Sequence, residues 1–136
     1  MIPTQHPARR APSRRAALKA LAAILAAGCS GRAVSTPVDP ERARAALRTT
    51  LDAWKRGDTP ESLKTASPPI VAQDFDWMGG ATLVAYELTD DGKEDGPNLQ
   101  IPVKLTLKPP QGAEVEKPVA YVVGTSPSLT VFRAFP

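Results

Sequence analysis

Apolar positions along this chain follow two periods, and the change between them falls near residue 70. Ala43, Leu47, Leu51 and Trp54 recur close to every third or fourth position, while Arg42, Arg44, Arg48 and Lys55 lie largely elsewhere. That spacing belongs to an amphipathic helix. Asp39-Pro40-Glu41 supplies a start: an aspartate N-cap, a proline suited to the first helical position and an acid at the positive end of the dipole. Gly57 supplies a stop, so a helix is predicted over about 40–56. Thr59-Pro60-Glu61 repeats the start signal, and a short helix through about Thr65, with Leu63 inward, is expected before Ser67-Pro68-Pro69 ends it.

Beyond residue 70 the spacing becomes that of strands. Residues 70–77 and 81–89 are candidates, followed by a charged turn over 90–98 that contains Gly92, Gly96 and Pro97. Ile101, Val103, Leu105 and Leu107 then alternate with Pro102, Lys104, Thr106 and Lys108, which puts one face in a core and the other in water. Pro109-Pro110-Gln111-Gly112 turns into a strand over 119–124, and Ser126-Pro127-Ser128 turns into one over 129–135. Pro102 cannot donate to a ladder, so a bulge or a locally free edge is expected there. Helices followed by antiparallel strands imply an α+β domain over 39–136. Its expected form is one long N-terminal helix and a short helix packed on a curved antiparallel sheet of about four strands.

Residues 1–28 have a different character and read as a targeting segment. The first 15 residues hold four arginines and no acid, and Ala20 to Ala27 form eight uninterrupted apolar residues. A membrane-crossing helix needs about 20, whereas eight suits the apolar centre of a signal peptide. Without this segment the chain keeps 12 basic residues against 14 acidic ones, a formal −2 where the whole sequence carries +3. The basic balance therefore belongs to the signal and is no footprint for nucleic acid.

Ala26-Ala27-Gly28-Cys29 resembles the lipobox of bacterial lipoproteins, with Ala26 where leucine is commonest. The resemblance implies cleavage between Gly28 and Cys29, and a lipid on the Cys29 thiol. Each buried methylene of such an anchor contributes roughly 0.8 kcal/mol to membrane binding. Ser13-Arg14-Arg15-Ala16-Ala17-Leu18-Lys19 resembles a twin-arginine export signal, with Ala17 in place of the usual phenylalanine. Arg14 and Arg15 are then the export residues, although arginines also suit the basic region of a general secretory signal. Residues 29–38 read as a lipidated tether. By the sorting pattern of enterobacterial lipoproteins, Ser30, not being aspartate, points to the outer rather than the inner membrane. The implied location is the bacterial cell envelope, and the implied partners are the membrane and the export and lipoprotein-processing machinery.

A leading helix closing in Ala53-Trp54-Lys55-Arg56-Gly57-Asp58, a short helix with Leu63 and a run of strands resemble the cone-shaped superfamily of nuclear transport factor two and ketosteroid isomerase. The cystatin-like arrangement is similar. Either implies a long helix laid on a curved sheet.

The chemistry available to such a domain is narrow. The one histidine, His6, lies in the targeting segment, and Cys29 is the only cysteine. Histidine-dependent nucleophile systems are therefore excluded, and a histidine- or cysteine-ligated metal or haem is not expected. Nor does a phosphate-cradling glycine loop occur. Asp74-Phe75-Asp76 would set two carboxylates on one face of a strand; a solvated strand or loop face with Phe75 inward is expected, and a general acid or base formed by close carboxylates is the alternative. Asp90, Asp91, Glu94 and Asp95 read as a hydrophilic turn whose spacing does not match a calcium loop. Trp54, Trp77, Tyr86, Tyr121, Phe132 and Phe135 are core candidates, with Trp77 and Tyr86 at the mouth of a possible pocket that includes Asp74, Asp76 and Arg133. Arg133 shares a strand face with Val131 and Phe135, and is expected to pair with Asp74 or Asp76, anchor an anion, or end an exposed strand. The first functional expectation is a non-catalytic, lipid-anchored binding or interaction module without a cofactor. An isomerase- or cyclase-like enzyme using a buried aspartate and a structural envelope protein are the alternatives.

Overall fold

A computed structural model describes residues 36–136, so the export residues Arg14 and Arg15, the cleavage site at Gly28 and the lipidation site Cys29 lie outside the described residues. Helix α1 spans Pro40–Arg56, and the Asp39 side chain accepts from the Arg42 amide at 3.2 Å. At the other end Gly57 takes φ 89°, and the Gly57 and Asp58 amides bond the Trp54 and Ala53 carbonyls. This closes the last turn as a Schellman motif. Ala43, Ala46, Leu47, Leu51 and Trp54 form the buried stripe, joined by Thr50, whose hydroxyl donates to the Ala46 carbonyl. A 3-10 helix, Pro60–Thr65, follows and buries Leu63.

The strands are β1 (Ile70–Gln73), β2 (Thr82–Leu88), β3 (Lys93–Asp95), β4 (Asn98–Lys108), β5 (Val115–Gly124) and β6 (Leu129–Arg133). A four-residue helix α2, Phe75–Met78, lies between β1 and β2. The domain is α+β with a curled sheet in the order β1-β6-β5-β4-β2, and β3 pairs with β4 beyond the end of β2. The sheet has six strands rather than about four, and it is mixed rather than antiparallel, because β1 runs parallel to β6. Residues 74–81 alone join its two outermost strands, and four of these are coiled into α2.

The core lies between α1 and one face of this sheet. Leu99, Ile101, Val103, Leu105 and Leu107 of β4 are all buried, with Tyr121 and Val123 of β5 and Leu129 and Val131 of β6. The alternation read in β4 is therefore its burial pattern. Packing also includes Val38, which is buried and donates its amide to the Gly96 carbonyl, while the Asp39 amide donates to the Thr125 hydroxyl.

Two local readings change, and the locally free edge expected at Pro102 is present. The strand expected over 70–77 stops at Gln73, because the Asp74 side chain accepts from the Asp76 and Trp77 amides at 2.8 and 3.1 Å and starts a helical turn. Capping by a short acid competes directly with the ladder. In consequence Phe75 is 47% exposed, not inward, and Trp77 is buried instead. The charged turn contains β3, which forms a hairpin on β4 with Gly96 (φ 58°) and Pro97 between Asp95 and Asn98. A glycine of positive φ in first place fits a type II′ turn. Pro102 falls where β2 has ended at Leu88↔Val103 and β3 has not yet begun at Lys93↔Gln100. Its carbonyl accepts from the Thr89 amide on that side, so its missing N–H faces a gap in the ladder.

Gly92 enters β3 at φ 104°, and a Cβ there would stand 2.9 Å from the Gln100 carbonyl oxygen and 3.0 Å from Leu99 Cγ. Gly112 has a similar φ of 109° but open space around it. Left-handed backbone alone costs a side chain roughly 1–2 kcal/mol. Gly112→Ala is expected to lose about 1 kcal/mol of unfolding free energy and Gly92→Ala at least about 2 kcal/mol, because only the latter also collides with β4. Denaturant unfolding of the two variants measures the difference; equal losses would mean that the approach to β4 is not tight.

Candidate functional site

Asp74 follows the last residue of β1, and Arg133 is the last residue of β6. The parallel register Gln73↔Phe132 carries Asp74 alongside Arg133. On the other flank Arg133 pairs with Tyr121 of β5. The side chains meet on the inner face of the sheet. Asp74 is 3% exposed and accepts four hydrogen bonds: the two amides of its capped turn, the Tyr121 hydroxyl, and Arg133 Nη1 at 3.2 Å. Arg133 Nη2 donates to Asp76 Oδ2, which also receives Lys117 Nζ at 3.1 Å. The guanidinium carbon lies 5.9 Å from the centroid of the Tyr121 ring, which adds a cation–π contact. Among the described residues, no buried side-chain nitrogen or oxygen lacks a hydrogen-bond partner.

The electrostatics follow from this pairing. Burial pushes the Asp76 carboxyl upward, but hydrogen bonds and charge from Lys117 and Arg133 outweigh it and hold its pKa below the ordinary carboxylate value. Burial, reinforced by the Asp74 carboxylate, pushes the Tyr121 phenol far above its usual range. Tyr121 therefore acts as a donor to Asp74 and as no source of protons at neutral pH.

The structure brings Asp74, Asp76 and Arg133 together but leaves two expected pocket residues out of their cluster. The Trp77 indole turns away to stack on Trp54, with centroids 5.5 Å apart and planes 11° from parallel, and its N–H donates to the Asp58 carbonyl. Tyr86 sits at the side of α1 and donates to Asp52 at 2.8 Å. Its pKa is pushed up to about 12, by burial first and then by Asp52. Asp74 and Asp76 form no solvated strand face: the strand ends before them, Asp74 is buried, and the two share an arginine. In the acidic loop, Asp90 accepts from the Gly92 amide at 2.8 Å, and Arg44 donates to the Asp91 carbonyl at 3.1 Å. That is a local turn with a helix contact.

A cleft of about 410 Å³ opens beside the charged cluster, with Phe75, Val119 and Phe135 as apolar lining and Asp76, Lys117 and Arg133 at its polar end. Phe75 and Phe135 touch, with ring centroids 4.9 Å apart. Phe75 and Lys117 line the cleft and Tyr121 holds Asp74, three roles that the sequence does not assign. For Lys117 and Tyr121 a signal exists: positions 117, 119, 121 and 123 share one strand phase, so a lysine stands on the inward face.

Arg133→Met leaves two acids facing each other without their cation, and should cost about 3–5 kcal/mol of stability. Lys117→Met removes a half-exposed partner and should cost less than about 1 kcal/mol. Comparable losses in denaturant unfolding would deny Arg133 its central place. A second prediction concerns acid. Folding lowers the Asp76 pKa, so its contribution is complete above the unfolded value of about 3.9 and disappears as the pH falls through the lower folded value. Asp76→Asn should therefore flatten the fall of unfolding free energy between about pH 5 and pH 2; an unchanged slope would contradict the pairing.

Comparison of the chain with protein-family models, curated proteins and solved structures returns no match, which leaves the geometry of these residues as the ground for its function.

Proposed function

We propose that this chain is an exported bacterial lipoprotein, cut before Cys29 and held by a lipid there, whose domain is a non-catalytic binding or interaction module of the cell envelope. The anchoring reading is supported by the arginine-rich start, the short apolar run and the small residues before the chain's only cysteine. Among the described residues no helix is long and apolar enough to cross a membrane.

The observation that carries binding over catalysis is that Arg133 holds both Asp74 and Asp76. A carboxylate has about four acceptor positions. The four donors on Asp74 fill them, so no lone pair points at a substrate. A general base works best with a pKa near the working pH, and Asp76 is shifted the other way. An isomerase-like use of either aspartate therefore fits poorly. We also propose kinship with the cone-shaped nuclear-transport-factor-two-like superfamily, which a long helix on the inner face of a curled sheet supports.

Val38 and Asp39 donate to Gly96 and Thr125 at the end of the domain away from the cleft. Strand β5 runs from Lys117 at the cleft to Gly124 next to Thr125, about 24 Å at the usual rise per residue.

Cell fractionation tests this reading. Cys29→Ser should leave the signal uncut at Gly28 and abolish lipid labelling; membrane partitioning with normal cleavage at Gly28 would refute the anchor. Replacing Arg14 and Arg15 together by lysine should stop export, and undiminished export would refute the twin-arginine route.

A further inference from the structure

Charges in the cluster alternate in one series: Asp74, Arg133, Asp76, Lys117. Arg133 has a carboxylate on each side and Asp76 a cation on each side, with Arg133 buried behind them. Lys117 ends the series at the cleft. Its side chain is 49% exposed, and Asp76 is its one carboxylate partner among the described residues. An ammonium carries three donors, and Asp76 takes one of them at 3.1 Å. Glu116, the neighbouring acid, stands on the opposite strand phase.

The surface next to that open side is apolar. Val119, two residues further along the same face of β5, forms the floor with Phe75 and Phe135 beside it. Phe75 and Phe135 are 47% and 80% exposed, so neither ring belongs to the core. A volume of about 410 Å³ lies within the usual range of roughly 300–1,000 Å³ for small-molecule sites, and an apolar lining with a few convergent polar groups is their usual make-up.

We propose that this cleft binds a small amphipathic carboxylic acid. Its carboxylate takes the open side of Lys117 and extends the alternation by one charge, and its hydrocarbon or aromatic body covers Phe75, Val119 and Phe135. An amine is the wrong partner, because its ammonium would stand beside Lys117 and Arg133, and the Asp76 oxygen between those cations is already held by both. A neutral molecule gains the apolar contact alone. The proposal deepens the binding-module reading by naming a ligand class, and it does not depend on the lipid anchor.

Octanoate, octylamine and octanol share one tail and differ in the head, so they separate these terms. The whole 136-residue chain carrying Cys29→Ser, labelled with 15N, is titrated with each while amide shifts are followed. Octanoate should give saturable shifts at Phe75, Lys117, Val119 and Phe135, with affinity about fivefold or more above octanol and octylamine weakest. Lys117→Gln should erase the preference for octanoate over octanol, and Phe135→Ser should weaken both several-fold. Both positions are exposed, and unchanged shifts away from the cleft report an intact fold. The proposal is overturned if octanoate gives no saturable shift at the cleft, or if octylamine binds as tightly. It also fails if Lys117→Gln keeps the octanoate preference, or if the cleft amides move with protein concentration alone, which would make a second copy the occupant. None of these outcomes alters the Cys29→Ser fractionation, so failure of the ligand class and failure of the anchor are separately visible.

Discussion

A guanidinium buried in a domain of this size sets a condition that distant parts of the chain have to meet together. The Arg133 side chain is 5% exposed, and desolvating a cation costs several kcal/mol unless carboxylates and further hydrogen bonds surround it. The partners come from the end of β1 and the first turn of α2, 59 and 57 residues away in sequence. Tyr121 from β5 completes the shell by holding Asp74. The contacts thus join the one parallel edge of the sheet to the antiparallel run of strands. A one-residue slip of β6 would turn Arg133 to the outer face and strand both acids. Charge pairing and strand register enforce each other here.

What was legible in the sequence was local. The stripe of Leu47, Leu51 and Trp54, the Asp39 cap and the Gly57 stop are contained within one helix, and α1 has the predicted limits. The alternation in β4 needs only its own strand and a core on one side. The break after Gln73 was hidden because Asp74 satisfies two requirements in one residue. It caps a helical turn through one oxygen and holds Tyr121 and Arg133 through the other. A period count sees neither. The parallel pairing of β1 with β6 joins strands about sixty residues apart, so no spacing rule encodes it. Arg133 could be suspected of pairing with Asp74 or Asp76 because a cation on an apolar strand phase needs a partner. That it takes both became visible only once the register was known.

The same arrangement shapes what the domain can do. Arg133 ties both carboxylates of Asp74-Phe75-Asp76 into one ion-pair cluster. It also passes alternating charge outward until Lys117 meets an apolar surface. The expulsion of Phe75 from the core, a consequence of the capped turn, places that ring against Phe135 at the cleft. One local event, the capping of α2 by Asp74, therefore builds the ion pair and the wall of the candidate site together.

Asp74 and Arg133 act as a unit. A double-mutant cycle with Asp74→Asn, which retains a capping side chain, and Arg133→Met isolates their coupling in unfolding free energy. Residues in one buried network couple by about 0.5–3 kcal/mol, and this pair should reach at least about 2 kcal/mol. A coupling near zero, with the two losses simply additive, would mean that the guanidinium and the carboxylate stabilise the fold independently and that no shared ion pair holds β1 to β6.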